Sequence, residues 1–130
     1  WNVQHVKNME KMFCRAIVFN GDISTWNVSN VENMTEMFLQ SYAFNQDISE
    51  WNVGKVNTMA GMFHGASSFD GNIGLWNVGL VTTMDSMFYG ASSFNRYIGM
   101  WDVGAVAVFS SMFRDAVMFD NDGKSIANAP

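Results

Sequence analysis

The side chains best suited to catalysis in this sequence are two histidines and one cysteine. His5 and His64 fall at different phases of a repeating pattern, and Cys14 shares the phase of His64 but lies two repeats away, roughly 10 Å by strand spacing. A nucleophile and its base must lie within hydrogen-bond distance, and no acid is placed to orient either imidazole. No glycine-rich phosphate loop, nucleophile elbow or zinc-ligand spacing is present. We therefore predict that the protein is not an enzyme and has no catalytic residues and no cofactor.

Acids and amides recur in one loop of every repeat and raise the question of a metal. They are Asn20, Asn45, Asp70, Asn95 and Asp120, with Asp22, Asp47, Asn72 and Asp122 two residues later. Their oxygens would suit calcium, but the ligand spacing of calcium-binding loops is absent. We expect these side chains to cap turns by bonding nearby backbone, and we predict no metal site.

The elements that must position these side chains are set by a repeat of 25 residues. We call the residues at one equivalent position of successive repeats a column. The register is fixed by a tryptophan column, which comprises Trp1, Trp26, Trp51, Trp76 and Trp101. We predict one domain over residues 1–125 with repeats at 1–25, 26–50, 51–75, 76–100 and 101–125, the last of them degenerate, and a tail at 126–130. The chain begins in phase with the repeat, so we expect it to be a piece of a longer protein.

Apolar spacing within one repeat predicts the local structure. Trp51-Asn52-Val53 has the two-residue period of an extended strand, whereas residues 56–66 have the three-and-four spacing of a short helix or 3₁₀ turns. The polar stretch 69–74 predicts a returning loop. The expected fold is therefore a leucine-rich-repeat-like solenoid, with one short parallel β-strand and one short helical or 3₁₀ segment per 25-residue coil.

Residues that recur in every repeat are interpreted as structural. An apolar spine is predicted from Trp26, Trp51, Trp76, Val53, Met62, Phe63 and Phe69. The column of Asn27, Asn52 and Asn77 points outward between spine residues. These amides could form a row that binds a ligand. We favour the alternative, in which they form a ladder of amide hydrogen bonds along the stack.

Columns that vary from repeat to repeat are the candidates for binding. An exposed apolar patch is expected from Leu75, Leu80, Met100 and Ala105. Scattered exposed apolar residues are also ordinary on protein surfaces, so both interpretations of this patch stay open. A second varied column contains His64, Tyr89 and Arg114, and tyrosine and arginine are enriched at binding hot spots.

Charge and hydropathy argue against two classes of target. The formal net charge is -5 and the seven Lys and Arg residues are scattered, which disfavours nucleic acid as a partner. No run approaches the roughly 18 consecutive apolar residues that a membrane helix needs, so no direct membrane insertion is expected.

The segment from Phe44 to Val53, Phe-Asn-Gln-Asp-Ile-Ser-Glu-Trp-Asn-Val, and its continuation from Val56 to Phe63 resemble the BspA-like leucine-rich repeats of bacterial surface proteins and lipoproteins. The resemblance extends from Trp1 to about Phe119. It implies an extracellular or cell-surface array used for adhesion and protein binding, with Trp51 and Val53 inward and Asn52 on the concave face.

The sequence thus predicts a non-catalytic protein-binding or surface-adhesion module whose protein partner is unidentified. The alternative is a structural subunit or segment of a larger multiprotein assembly, with neighbouring subunits at the solenoid ends. A flat ice-binding or polysaccharide-binding face would need a regular outward row of threonine or aromatic residues, and the sequence has none.

Overall fold

The computed structural model describes residues 1–121 as a stack of similar 25-residue units. We number the units 1 to 5, beginning at residues 1, 26, 51, 76 and 101. The end of unit 5 and the predicted tail at 126–130 lie outside the described residues. Across residues 1–121 there is no α-helix and no β-strand. Isolated parallel bridges join successive units at Asn8, Asn33, Thr58, Thr83 and Val108.

β-Turns build each unit. In unit 3 the backbone N–H of Val56 donates to the carbonyl of Val53, three residues earlier, at 3.0 Å. Further turns of this kind are closed by the pairs Met62 and Met59, His64 and Gly61, Ala66 and Phe63, Phe69 and Ala66, and Trp76 and Ile73. The two ends of a β-turn lie within about 7 Å of each other. Apolar residues spaced by three are therefore brought together on the inner side of the unit.

Backbone hydrogen bonds between units keep a constant register. In unit 3 they run from the N–H groups of Met59, Gly61, Phe63 and Gly65 to the carbonyls of Thr83, Asp85, Met87 and Tyr89, at 2.7–3.0 Å. The same four bonds recur at every junction between described units. Alternate N–H groups in this segment close turns, so the remaining ones are free to join the next unit.

Two positions in each unit have left-handed backbone. In unit 3 they are Gly61, with φ of 62°, and Gly65, with φ of 71°. Each is the third residue of a turn, where a positive φ is required by turns of type II. The equivalent positions in the other units are Lys11, Arg15, Glu36, Gln40, Ser86, Gly90, Ser111 and Asp115. A positive φ at every fourth residue prevents this segment from continuing as a helix.

The predicted leucine-rich-repeat-like fold class is therefore wrong, and so is the expectation of a strand and a helical or 3₁₀ segment in each unit. The three-residue spacing of residues 56–66 comes from consecutive turns, whose ends are also three residues apart. Trp51-Asn52-Val53 has the alternation of a strand, but in the described structure its backbone makes no ladder of hydrogen bonds to another unit, and the Trp51 N–H closes the preceding turn on the carbonyl of Ile48.

Aromatic rings fill the centre of the stack. In unit 3 the rings of Phe63 and Phe69 are stacked with their centroids 4.0 Å apart. Phe63 also stacks at 5.6 Å on Phe88 of the next unit, and Phe69 stacks at 6.0 Å on Phe94. These two phenylalanine columns run through all five units and are completely buried in units 2 to 4. Each unit therefore covers the aromatic face of its neighbour.

Candidate functional site

The predicted spine residues lie in the core and are not available to a ligand. Val53, Met62, Phe63 and Phe69 are at most 1% exposed, and Trp51 and Trp76 are 4% exposed. Trp26 is only partly buried, because it lies near the end of the stack. The Nε1 of Trp51 donates to the carbonyl of Ile23 at 3.1 Å, and Trp76 and Trp101 repeat this bond one and two units later. The predicted spine thus has structural contacts throughout.

Asn27, Asn52 and Asn77 make local hydrogen bonds. The Oδ1 of Asn52 accepts the backbone N–H of Gly54, two residues later, at 3.0 Å. Asn27 and Asn77 accept the N–H groups of Ser29 and Gly79 in the same way. This is the Asx turn, which fixes the corner between the Trp-Asn-Val segment and the following turn.

A side-chain ladder along the stack is formed by a different column. The Oδ1 of Asn45 accepts the backbone N–H of Asp70, 25 residues later, at 2.9 Å. The Oδ1 of Asp70 in turn accepts the N–H of Asn95 at 2.9 Å. Asn20 and Asn95 extend the ladder to the ends. The role predicted for this column is local turn capping, whereas its hydrogen bonds join neighbouring units.

A shallow groove lies between units 3 and 4, and its apolar lining is exposed. Leu75 is 87% exposed, Met100 is 71% exposed and Tyr97 is 40% exposed. The groove has a volume of about 380 Å³ and is also lined by Asn72, Gly74 and Arg96. We call it the Leu75 groove.

Glycine keeps the two walls of the Leu75 groove close together. A Cβ atom at Gly74 would collide with the backbone carbonyl of Tyr97, and one at Gly99 would collide with the Tyr97 ring. The ring therefore lies directly over the backbone of unit 4. Arg96 is held beside it by a 2.8 Å hydrogen bond from its Nε to the carbonyl of Asp70.

Leu80 and Ala105, the other predicted members of the patch, belong to a different turn. Both are exposed, Leu80 to 60%, but neither lines the Leu75 groove. The structure therefore brings Leu75 and Met100 together and adds Tyr97 and Arg96, which the repeat pattern did not single out. The sequence signal for Tyr97 is its departure from a column that otherwise carries Asp22, Asp47 and Asn72.

His64, Tyr89 and Arg114 form a continuous row across units 3 to 5. The imidazole of His64 stacks on the Tyr89 ring with centroids 4.7 Å apart. The Arg114 guanidinium lies 5.6 Å from the centre of the same Tyr89 ring, which is a cation–π distance. We call this set the His64 row.

The acids of the loop are engaged with backbone and serine groups. The Ser49 hydroxyl and then the Ser49 backbone N–H donate to Asp47, and these bonds lower the pKa of its carboxyl. Hydrogen bonds from Ser24 lower the pKa of Asp22 in the same way. Across residues 1–121 no group of three or more His, Cys, Asp or Glu side chains is arranged to hold a metal ion.

The described part of the chain contains no helix of the length and apolar character required to cross a membrane.

Comparison with characterised proteins and with solved structures finds no match. A protein-family model matches the chain twice, over residues 1–79 and over residues 50–128. The two matches begin about two units apart, which agrees with the 25-residue repeat. Together they cover nearly the whole sequence, and the chain therefore belongs to the family described as Mycoplasma protein of unknown function, DUF285.

Proposed function

We propose that this chain is a non-catalytic protein-binding module and that the Leu75 groove is its binding surface. The observation that carries the proposal is the clustering of Leu75, Tyr97 and Met100 on the outside of a stack whose recurring apolar residues are buried. Aromatic and methionine side chains that face solvent together are typical of the centre of a protein interface.

The groove suits an extended protein segment that inserts one apolar side chain. Its lining combines the apolar side chains of Leu75 and Met100 with the polar side chains of Asn72 and Arg96. The Arg96 Nε also lies 3.3 Å from the Asp70 carboxylate, so its charge is partly compensated. An apolar anchor with polar groups at either side would satisfy both parts of the groove.

Display at the cell surface is part of the proposal. It is supported by the resemblance of Phe44 to Val53, and of its continuation to Phe63, to the repeats of bacterial surface proteins. Labelling of intact cells with an antibody to the chain tests this part. Surface labelling is the expected result, and labelling only after permeabilisation would contradict it.

Two substitutions test the groove without disturbing the fold. Leu75 and Met100 occupy the same position of the repeat, which is Thr25 in unit 1 and Glu50 in unit 2. The double variant Leu75→Thr with Met100→Glu therefore uses side chains that the stack already contains at this position. The matched control is Leu80→Asn, which borrows Asn30 at an exposed apolar site outside the groove.

Binding is measured with the partner first identified by photo-crosslinking from position 75 and then purified. The groove variant is expected to bind more than about 10-fold more weakly than the unmodified chain, because an anchor contact typically contributes about 2 kcal/mol or more. The Leu80→Asn control is expected to bind normally. Unchanged binding by the groove variant, or an equal loss in the control, would contradict the assignment.

A role as a segment of a larger multiprotein assembly is the second candidate. It is supported by a second exposed apolar side chain away from the groove, Leu80, which is 60% exposed and would suit a further subunit contact. A purified chain that remains a monomer and binds its partner through the groove alone would count against this candidate.

A further inference from the structure

The face of the stack that contains the Leu75 groove changes from acidic to apolar along its length. Two exposed positions of each repeat form this face, the position of Leu75 and the position three residues earlier. Units 1 and 2 contribute mostly acids there, and units 3 and 4 contribute mostly apolar side chains, in the order Asp22, Thr25, Asp47, Glu50, Asn72, Leu75, Tyr97 and Met100. The Leu75 groove is therefore the apolar half of a longer surface.

A second depression connects the acidic half to the Leu75 groove. It lies between units 2 and 3, has a volume of about 330 Å³ and is lined by polar residues that include Asp47, Ser49 and Asp70. We call it the Asp47 pocket. Asn72 and Arg96 line both the Asp47 pocket and the Leu75 groove. The two depressions are thus neighbours along the stack and form one surface across units 2 to 4.

The acidic half of this surface carries negative charge that no basic side chain balances. The carboxylate of Asp70 is already engaged by the Arg96 Nε at 3.3 Å. Across residues 1–121 neither Asp47 nor Glu50 takes part in an ion pair, and unit 2 contains no Lys or Arg. A ligand that covers this part of the surface therefore gains from a positive charge of its own.

Asp47 keeps its charge at neutral pH. Hydrogen bonds from the hydroxyl and then from the backbone N–H of Ser49 lower the pKa of its carboxyl, whereas burial and the negative charge of Asp22 act in the opposite direction. The two carboxylates are therefore close enough to repel each other. A cation bound beside Asp47 would reduce this repulsion.

The spacing of the two depressions matches an extended peptide that runs along the stack. Equivalent rings of units 3 and 4 are 5.6 Å apart for Phe63 and Phe88 and 6.0 Å apart for Phe69 and Phe94. In an extended chain, side chains on the same side are two residues and roughly 6.6 Å apart. Two peptide residues therefore advance by about one unit, which is the step from the Asp47 pocket to the Leu75 groove.

We propose that the partner segment is an extended peptide that pairs a basic residue with an apolar residue two positions away. The lysine or arginine side chain lies over Asp47 and Glu50, and the apolar side chain occupies the Leu75 groove. This inference rests on the proposed function, because it uses the same groove, and it adds the chemical class of the partner.

Short peptides of glycine and serine, blocked at both ends, provide the probe. One pair of peptides carries lysine and leucine separated by one residue, in either order, and the reference peptides replace the lysine with glutamine or glutamate. Affinity is measured by NMR titration of the isotope-labelled full chain at low salt, with peptide up to roughly 1 mM, the weak end of specific affinity. The better lysine peptide is expected to bind at least about 3-fold more tightly than its glutamine reference, as two exposed charge pairs allow. Equal affinity for the lysine and glutamate peptides would overturn the proposal.

Removal of the two acids tests where the lysine lies. Asp47→Asn with Glu50→Thr uses side chains that units 3 and 1 already contain at these positions. This variant is expected to lose the preference for lysine while binding the glutamine peptide as before. The matched control, Glu32→Asn with Asp102→Asn, removes two acids outside both depressions and is expected to keep the preference. A preference that survives in the first variant, with the chain folded by circular dichroism, would overturn the assignment to Asp47 and Glu50.

A third variant separates failure of this inference from failure of the proposed function. Leu75→Thr removes an apolar side chain of the groove and leaves the acids in place, so all the peptides are expected to bind more weakly. Weaker binding in this variant without any preference for lysine would overturn the basic class of partner and leave the groove as the binding surface. No binding of any peptide at roughly 1 mM would also overturn this class, and the partner crosslinked from position 75 would then test the groove alone.

Discussion

The indole Nε1 of Trp76 and the backbone N–H of Trp51 both donate to the carbonyl oxygen of Ile48, at 3.1 and 3.2 Å. The first bond joins unit 4 to the last turn of unit 2, and the second closes that turn. The Ile48 carbonyl therefore helps to fix the last turn of unit 2. It also helps to fix the position of the buried Trp76 ring at the start of unit 4. This relationship explains why tryptophan recurs every 25 residues.

Trp76→Phe removes the indole donor and leaves space in the core. We expect the free energy of unfolding in urea to fall by about 1–3 kcal/mol, from the lost hydrogen bond and the lost packing. Trp1→Phe is the matched control, because the Trp1 side chain is 89% exposed, and its effect should stay within about 0.5 kcal/mol. Equal effects of the two substitutions would show that the indole bond does not hold the stack.

Asn45→Ala interrupts the side-chain ladder between units 2 and 3. The backbone N–H of Asp70 loses its 2.9 Å acceptor, and we expect a loss of about 1 kcal/mol in the free energy of unfolding. Asn72→Ala is the control, since this exposed amide is not part of the ladder. If Asn72→Ala destabilised the chain as much as Asn45→Ala, the ladder would have no special role.

Ser86→Gly removes the steric strain of a non-glycine residue with left-handed backbone in unit 4. Ser86 has φ of 55°, and Gly61 occupies the same position one unit earlier. We expect the unfolding midpoint in urea to rise, with a gain of about 0.5–1 kcal/mol, because glycine adopts positive φ without steric cost. Gly90→Val places a β-branched residue at a position with φ of 69°. It should lower the free energy of unfolding by at least about 1 kcal/mol. A stabilising Gly90→Val would contradict the assigned turns.

The repeat length, its register and the burial of the spine follow directly from the sequence. A residue type that recurs at a fixed interval, as Trp51 and Trp76 do, can be recognised without knowing the local geometry. The local structure does not follow as easily. Apolar residues three apart occur at the ends of consecutive turns as well as along a helix, so the helical prediction for residues 56–66 is wrong. The distinguishing signal is present in Gly61 and Gly65, four residues apart and unfavourable inside a helix.

The sequence predicted those residues of the candidate site that belong to it because they are exposed. Leu75 and Met100 vary along the repeat and are exposed, as expected. Their neighbours could not be found in that way, because the contribution of Tyr97 depends on its ring lying over Gly99, a contact that no apolar period encodes. The inward or outward direction of a column can be inferred from spacing, but contacts between columns depend on where each turn closes.

Acid should destabilise the stack through Asp22 and Asp47. Hydrogen bonds from Ser24 and Ser49 lower the pKa of these carboxyls in the folded chain below the ordinary value of 3.8. The folded state therefore binds protons less readily than the unfolded state, and this stabilisation is present above the unfolded pKa and lost as the pH falls through the folded value.

Asp22→Asn with Asp47→Asn keeps an acceptor oxygen at each turn but removes the titration. We expect the free energy of unfolding of this variant to depend less on pH below about 5 than that of the unmodified chain. Urea unfolding at a series of pH values measures the difference. A steeper acid loss in the variant would mean that the serine hydrogen bonds do not lower the pKa of these carboxyls in the folded chain.

Backbone hydrogen bonds from residue i to residue i+24 join consecutive units. Scalar couplings across hydrogen bonds, measured by NMR, test this arrangement directly. We predict couplings from the amide nitrogens of Phe63 and Gly65 to the carbonyl carbons of Met87 and Tyr89, whose hydrogen bonds measure 2.9 and 2.7 Å. Couplings from these amides to carbonyls four residues earlier, as in an α-helix, would contradict the account.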